Sequence, residues 1–393
     1  MHADASLDGL ELSFHDDPAR LDAGAWNDLL EAQAAPTPFM RHEYLHALHA
    51  SGSAVDASGW APRLLCLHRG RRLVAACPLY LKSHSYGEYV FDWAWADAYQ
   101  RHGLRYYPKL LSAVPFTPVP GSRLLAIDAA SRLALLRALR QLCQDASLSS
   151  AHLLFMDKAD RDAAASDGWM LRQTVQFHWL NRQPQPYVDF DEFLASLQRE
   201  KRKKIAQERR RVAEAGVSFS VHTGEQIDKS LWDFFHHCYT HTYAAHHSTP
   251  YLTRDFFARM QRTMARNWVM FVAHRDGRRI ASSLMAVDPE RRHAYGRYWG
   301  STEYLPCLHF EACYYQPLQW CIANGYQCFE GGAQGEHKMA RGLLPVTTHS
   351  AHWLSHPAFA DAVARHLAHE GAGITAYVDE LRERNPFREP ASR

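Results

Sequence analysis

Each half of this 393-residue sequence contains two apolar, β-type runs joined by a short charged turn that includes a glycine. The runs are residues 62–68 and 72–82 around Arg69-Gly70-Arg71, and residues 268–274 and 279–287 around Asp276-Gly277. Short glycine-containing connections between such runs are typical of β-hairpins. Because helices and strands follow in a similar order in both halves, we predict two copies of one α/β unit.

Hydrophobic periodicity predicts the other elements. The predicted helices are residues 25–31, 42–49, 131–143, 191–215, 230–243, 253–266 and 310–323. The predicted strands are residues 152–156, 170–180, 217–222 and 294–299. This alternation predicts the α/β fold class with mixed α+β sheets.

Two prolines, Pro184 and Pro186, interrupt the pattern between a strand and a long helix. A chain of this length with 47% hydrophobic residues also exceeds one ordinary core. Since prolines flanked by polar residues mark connections, we predict domains at residues 1–186 and 187–393.

Overall charge and composition indicate which classes of partner and which cellular location to expect. The sequence has 44 Lys and Arg residues and 42 Asp and Glu residues, so its formal net charge is only +2. A net charge this small does not favour binding to nucleic acid or to a membrane by the protein as a whole. No apolar run approaches the roughly 20 residues that cross a bilayer, and the start lacks the pattern of a signal or transit peptide. The eight cysteines form no CxxC pair, which favours reduced thiols. We therefore expect a cytoplasmic protein without a membrane span.

The segment 329–342, FEGGAQGEHKMARG, has the composition of a functional site. Its glycines allow close backbone approach, while Glu330, Glu336, His337 and Lys338 can move protons or hold negative charge. The alternative is a solvated surface loop.

Three segments resemble a bacterial family of predicted N-acyltransferases. They are residues 78–95 (PLYLKSHSYGEYVFDWAW), 308–316 (LHFEACYYQ) and 330–345 (EGGAQGEHKMARGLLP). That family is related to the Fem-type peptidoglycan aminoacyl transferases and, through them, to the GNAT superfamily. The resemblance covers nearly the whole chain and implies two tandem GNAT-like acyltransferase domains. It also implies transfer of an acyl or aminoacyl group to an amine without a covalent enzyme intermediate.

Such a transfer needs a base for the amine and donors for the oxyanion of the tetrahedral intermediate. We predict Glu311 as the base, with His309 second, because both lie at the entry to the predicted helix 310–323. Glu311 could instead complement the helix dipole. The resemblance implies that Lys338 lies at the reacting centre, although Arg341 replaces the family's aromatic residue. Glu330 completes the predicted catalytic set.

Further residues are predicted to bind the donor or the acceptor. Those in the second half, assigned to the donor side, are Gln334, Glu336, His337, Arg341 and Arg297. Those in the first half combine acids with aromatic rings that suit an acceptor cleft, and they are Lys82, His84, Tyr86, Glu88, Asp92 and Trp95. The tryptophans and acids could instead be core and capping residues.

Residues 199–211 carry eight cations and two acids while keeping one apolar stripe. Fem-type enzymes have a basic helical segment, so Lys201, Arg202, Lys204 and Arg209 are predicted to bind a polyanion such as tRNA. A solvated basic face is the alternative.

No GNAT-type pyrophosphate loop is present, which favours aminoacyl-tRNA or a noncanonical thioester site and leaves CoA open. The co-substrate is therefore predicted as acyl-CoA or aminoacyl-tRNA, with no tightly bound cofactor. His237 and His241 stand four apart without a third ligand fixed by spacing, and no metal is predicted. The predicted acceptor is a small-molecule or peptide amine. The alternatives are a catalytically inactive tRNA- or RNA-binding module and a protein that binds cell-wall precursors.

Overall fold

A computed structural model of the protein describes residues 9–245, 247–333 and 335–388. Its strands are β1 (Glu11–His15), β2 (Trp60–Pro62), β3 (Leu64–Arg69), β4 (Arg72–Cys77), β5 (Tyr80–Lys82), β6 (Lys109–Ser112), β7 (Leu125–Ala126), β8 (Ser150–Met156), β9 (Met170–Leu180), β10 (Val217–Thr223), β11 (Trp268–Arg275), β12 (Arg278–Asp288), β13 (His293–Ser301), β14 (Cys328–Glu330) and β15 (Leu344–Leu354).

Its helices are α1 (Ala23–Glu31), α2 (His42–Ala50), α3 (Trp93–Arg101), α4 (Ala129–Asp145), α5 (Lys158–Ser166), α6 (Phe190–Ser196), α7 (Arg199–Glu214), α8 (Lys229–Ala245), α9 (Arg254–Thr263), α10 (Leu308–Phe310), α11 (Gln316–Ala323) and α12 (Pro357–Glu383). A π-helical turn, Glu311–Tyr315, joins α10 to α11, and a 3-10 helix covers Glu336–Arg341. None of these helices has the length and hydropathy needed to span a bilayer.

Contacts divide the chain into two compact units. Unit 1 contains the described residues up to Thr174 together with Thr347–Ala376, and unit 2 contains Val175–Val346 with the described residues from Tyr377 onward. These limits differ from the predicted division at residue 186, because the first falls inside β9, between Thr174 and Val175, and the later segment Thr347–Ala376 returns to unit 1. The assignment of acceptor and donor roles to the two halves stays a prediction.

Unit 1 contains two sheets. One has the strand order β1-β3-β4-β7, and the other includes β15-β8-β6-β5-β2. Helix α4 packs against β4 because its buried face, including Leu135 and Leu139, joins the apolar strand residues in one core. The predicted hairpin around Gly70 is β3–β4, which are paired in antiparallel register.

Unit 2 contains the strand order β10-β11-β12-β13-β14-β9. Helix α8 packs closely on β13, and a Cβ atom at Gly300 would lie 2.1 Å from the carbonyl oxygen of Cys238. The main core gathers aromatic side chains of β9 and α6 with those of the helical segment 308–323. The turn at Asp276-Gly277 joins β11 to β12, and both turn residues have positive φ, as a two-residue hairpin requires.

The two units share an order of strand directions. In unit 1, β5 pairs antiparallel with β6, β6 parallel with β8, and β8 antiparallel with β15. In unit 2, β12 pairs antiparallel with β13, β13 parallel with β14, and β14 antiparallel with β9. Each parallel pair is joined through a helical connection. The prediction of a mixed α/β fold built from two similar units is confirmed.

Several helices differ from the sequence-based prediction. The predicted helix 191–215 is two helices, because Leu197 and Gln198 are extended and the Gln198 amide donates to Pro386 O. The predicted helix 310–323 is interrupted by the π turn. Helices α3, α5 and α12 were not predicted from the sequence.

Candidate active site

The candidate site lies in unit 2, where the parallel strands β13 and β14 separate. They pair over three residues, and the last pair joins Tyr295 to Glu330. The chain then continues through Gly331 and Gly332 towards the 3-10 helix that carries His337, Lys338 and Arg341. The predicted site segment 329–342 is therefore one strand end and the turn that follows, apart from Gln334, which lies outside the described residues.

Lys338 is buried in this segment, with 3% of its surface exposed. Its ammonium donates hydrogen bonds to the carbonyl oxygens of Gly332 and Ala333, at 3.0 and 3.1 Å. Burial lowers the pKa of Lys338 to about 8. Gly331 gives the side chain room, because a Cβ atom there would lie 3.1 Å from Lys338 Cδ and 2.6 Å from Leu343 Cδ2. One lysine cation is thus fixed in place by backbone carbonyls.

Two histidines and a tyrosine lie beside this lysine. The Tyr314 hydroxyl is 3.3 Å from His337 Nε2, and the ring centroids of His309 and Tyr314 are 5.7 Å apart. Burial and the neighbouring His337, Arg341 and Lys338 lower the pKa of His309 to about 4. Burial, Arg341 and Lys338 also lower the pKa of His337. Both imidazoles are therefore neutral at neutral pH.

Arg341 holds the 3-10 helix of the site in place through buried contacts. Its guanidinium donates to Glu208 Oε2 at 2.9 Å and to His337 O at 2.7 Å, and it lies 3.5 Å from the centre of the Phe310 ring. The Tyr315 hydroxyl donates to the same oxygen of Glu208. The Arg341 guanidinium is thus already bonded to Glu208 and to the backbone of the 3-10 helix, and we infer that its role is to position that helix.

Glu311, the predicted base, begins the π turn and is buried. Both carboxylate oxygens accept hydrogen bonds from Arg209 Nε at 3.2 Å, and Gln316 Nε2 donates to Oε1 at 2.7 Å. A cleft of about 340 Å³ is lined by Arg209, Glu311 and Gln316 with residues of α7 and β10. The structure thus brings two predicted residues, Glu311 and Arg209, together as an ion pair. A π turn is frequent at functional sites.

Glu330 lies in a different buried group. It is directly opposite His178 in the β14–β9 pair, and its Oε2 is 3.8 Å from His178 Nε2. Cys328 joins them, and one donor atom from each residue lies within 4.8 Å of the others. The sequence analysis missed His178 and Cys328, because the strands that carry them are far apart in sequence.

Two other residues predicted to bind the donor, Glu336 and Arg297, have polar partners of their own. Glu336 is exposed and accepts hydrogen bonds from the Tyr377 hydroxyl at 2.6 Å and from Arg384. Arg297 lies at an irregularity of β13, and its Nη2 donates to the Tyr298 hydroxyl at 3.0 Å. His337 is the donor-side residue that contacts the Lys338 region.

Three of the six acceptor-side residues, Lys82, Glu88 and Asp92, lie in a buried ionic cluster around Lys109. Lys109 Nζ donates to Glu88 Oε2 at 2.8 Å, to Ser85 Oγ at 2.8 Å and to Asp92 Oδ2. Lys82 lies 3.7 Å above the centre of the Trp60 ring. The sequence analysis missed Lys109, which no local motif marks.

Burial governs the protonation of this cluster. It raises the pKa of Glu88 to about 7 and lowers the pKa of Lys82 to about 7. Burial also opposes the charge of Asp92, but the adjacent Lys109 lowers the pKa of that carboxyl. Glu88 and Asp92 are both paired with the Lys109 ammonium, so each carboxylate already has a cationic partner in place of an incoming amine.

Of the remaining residues predicted in unit 1, Tyr86 and His84 lie near the surface and Trp95 lies in the core. Tyr86 is 60% exposed, and its ring lies 5.3 Å from that of His84 and 5.9 Å from that of the exposed Trp93. Trp95 is buried, and its ring lies 4.9 Å from that of His352. The exposed aromatic residues are therefore the part of this group that a ligand can reach.

The predicted basic segment forms helix α7. Its apolar stripe is confirmed, because Ile205 and Val212 are buried. Lys201 and Arg202 are half-buried, Arg209 pairs with Glu311, and Lys204 is exposed. The exposed cations of the segment also include Lys203, Arg210 and Arg211.

Comparisons with solved structures identify the fold. The structure of L-PGS from Bacillus licheniformis is 11% identical with a TM-score of 0.53, covering 89% of this chain and 97% of that one. The C-terminal domain of a protein described as a lysylphosphatidylglycerol synthetase from Agrobacterium fabrum is 12% identical with a TM-score of 0.51, covering 90% and 96%. The crystal structure of FemX is 9% identical with a TM-score of 0.53, covering 88% and 99%. These similarities establish a shared fold.

A comparison with curated protein sequences found no significant match. The FemAB-like family, described as acting in peptidoglycan biosynthesis/recognition, matches residues 18–389. This match confirms the predicted family and the predicted class of enzyme, an acyl- or aminoacyl-transferase. The chain belongs to the FemAB-like family.

Proposed function

We propose that this protein transfers an acyl or aminoacyl group from an activated donor to an amine at the Lys338 site. The observation that carries the proposal is the buried Lys338 ammonium, held by two carbonyls beside His337 and Tyr314 where β13 and β14 separate. A fixed cation in a buried site stabilises developing negative charge without reorganisation.

The reaction assigns a separate role to each group. The amine nitrogen attacks the carbonyl carbon, Lys338 donates a hydrogen bond to the oxyanion, and neutral His337 accepts the proton that the amine releases. The bond to the donor's sulfur or ribose oxygen then breaks, and the leaving group takes up a proton. Tyr314 orients His337, while Arg341 holds the backbone of the same helix.

The sequence-based assignment of Glu311 as the base competes with this one. Its carboxylate is neutralised by Arg209, which supports a role in fixing α7 beside the π turn. Glu311 would act as a base only after this ion pair opens.

For the donor and the acceptor, we propose a chemical class and not an individual compound. Acyl-CoA and aminoacyl-tRNA both carry phosphates that the exposed cations of α7 could attract. Family membership supports an acceptor in peptidoglycan synthesis.

The test is a single-turnover assay of product formation with acyl-CoA thioesters and charged tRNA as donors and a panel of amines. We expect Lys338→Ala to lower the rate about 10²–10³-fold, as loss of one oxyanion donor does. His337→Ala should lower it about 10²-fold or more.

Glu311→Gln is the matched comparison, with circular dichroism to check that each variant folds. Glu311→Gln should keep most activity if His337 is the base. Full activity of folded Lys338→Ala would refute the proposed site, and loss of activity only in Glu311→Gln would establish Glu311 as the base.

A further inference from the structure

Three metal-binding side chains converge on one face of the β9–β14 pair in unit 2. His178 and Glu330 are directly opposite each other, and Cys328 is two residues from Glu330 on the same face. An imidazole nitrogen, a thiol sulfur and a carboxylate oxygen lie within 4.8 Å of one another, and the His178–Glu330 distance is 3.8 Å. All three residues are buried.

We propose that His178, Cys328 and Glu330 bind one divalent transition-metal ion of the zinc type. Zinc binds all three side-chain types at about 2.0–2.3 Å, which separates tetrahedral ligands by roughly 3.3–3.8 Å. The three donors are therefore close to a coordinating arrangement, and small side-chain rotations would complete it. The mixed nitrogen, sulfur and oxygen set favours zinc or cobalt over magnesium or calcium, which prefer oxygen alone.

Charge balance favours the same conclusion. Zinc binds neutral imidazole, and His178 Nε2, which lies 3.2 Å from Gln176 Oε1, would exchange that contact for the ion. Thiolate and carboxylate together carry two negative charges, which a divalent ion neutralises in a buried site. Binding would release the thiol proton of Cys328.

The nearest candidate for a fourth ligand is on β13, outside the group of three whose donor atoms lie within 4.8 Å of one another. His293 is opposite Cys328 in the parallel β13–β14 pair, and it is half-buried. His293 or a water molecule would complete a tetrahedral site. Because the three main ligands are buried, the ion would connect β9 to β14 as a structural ion just before the chain turns towards Lys338.

This inference does not depend on the proposed transfer reaction, and its test measures binding. Untagged protein is stripped with a chelator, titrated with Co²⁺ and Zn²⁺, and assayed for metal content and for the thiolate-to-cobalt absorption band. We expect one ion per chain, a thiolate band and a higher melting temperature with metal. Cys328→Ser should remove the band, and His178→Ala should weaken binding at least about 100-fold.

Cys307→Ser is the control, because Cys307 is a partly exposed cysteine of the same unit outside the group. If Cys328→Ser fails to fold, Glu330→Gln replaces it, and the same weakening is expected. Absence of stoichiometric uptake by the native chain would overturn the proposal. Uptake that persists unchanged in the Cys328 and His178 variants would overturn it too, since other histidines would then hold the ion.

Discussion

At the scale of single residues, burial determines which groups carry charge in the candidate site. Lys338 keeps its proton near neutral pH because its pKa falls only to about 8, whereas His309, with a pKa of about 4, stays neutral. One cation beside neutral imidazoles is a suitable combination for transfer to an amine, because it separates the oxyanion donor from the proton acceptor.

The lowered pKa of Lys338 predicts the alkaline side of the pH–rate profile. If the ammonium form stabilises the transition state, kcat/KM falls as the pH rises through about 8. Lys338→Arg would retain a cation above that pH, so its smaller activity should persist to higher pH. Rates between pH 6 and 10 measure this difference. A native profile that stays level to pH 10 would exclude the ammonium as an essential group.

His152 of unit 1 predicts a dependence of stability on pH. Burial lowers its pKa to about 3, and its ring contacts His352, Ser150 and Tyr106. The unfolded chain binds this proton below pH 6.5, so the contribution of His152 to stability falls as the pH drops from 6.5 towards 3.

The loss from His152 amounts to about 1.4 kcal/mol per pH unit in that window. Urea unfolding at pH 6.5, 5.5 and 4.5 should show a slope of stability against pH that is smaller by this amount in His152→Gln. Equal slopes in the two proteins would show that the ring is already protonated in the folded state.

At the scale of elements, helix α7 separates its packing face from its charged face. Ile205, Glu208 and Val212 are buried, while Lys203, Lys204, Arg210 and Arg211 are exposed. The proposed use of these cations is the attraction of a nucleic acid or the phosphates of a donor. The alternative RNA-binding function would use the same surface without catalysis.

Neutralising the exposed cations tests this use of α7. Replacement of Lys203, Lys204, Arg210 and Arg211 by Gln should weaken binding of charged tRNA and reduce the slope of log K against log salt by about 0.7–0.9 per lost phosphate contact. Lys229→Gln, on exposed α8 surface, is the control and should leave the slope unchanged. Unaltered binding by the fourfold variant would restrict α7 to a structural role.

The strand pairs explain how the site is positioned. β13 and β14 pair over only three residues, so the chain beyond Glu330 is free to turn and present Lys338. The glycines of that turn have a physical role, since a side chain at Gly335 would collide with the His337 ring at 2.6 Å. Element order could predict the strand and the loop, but not the residues facing each other across them.

At the scale of the whole molecule, the cysteines predict redox behaviour. All eight are free thiols, and six of them are buried. Native protein should therefore be alkylated mainly at Cys307, and more slowly at Cys313, because burial raises the pKa of the Cys313 thiol. Unfolded protein should be alkylated at all eight. Mass spectrometry after iodoacetamide treatment measures this, and the melting temperature should be the same with and without reductant. A reductant-dependent melting temperature would indicate a disulfide.

The sequence by itself determined the α/β class, the repeated hairpins and the family. These depend on local period, turn chemistry and contiguous motifs, which a single chain displays in order. The break at Leu197 escaped this reasoning, because its extended backbone is paired with Phe387 at the far end of the chain.

Only the tertiary structure decided which side chains meet. It joined Glu311 to Arg209 across 102 positions, Lys109 to Glu88 and Asp92, and His178 to Glu330 and Cys328. It also buried Lys338 and thereby lowered its pKa. Long-range pairing and desolvation depend on the packed chain as a whole, so no local pattern of residues contains them.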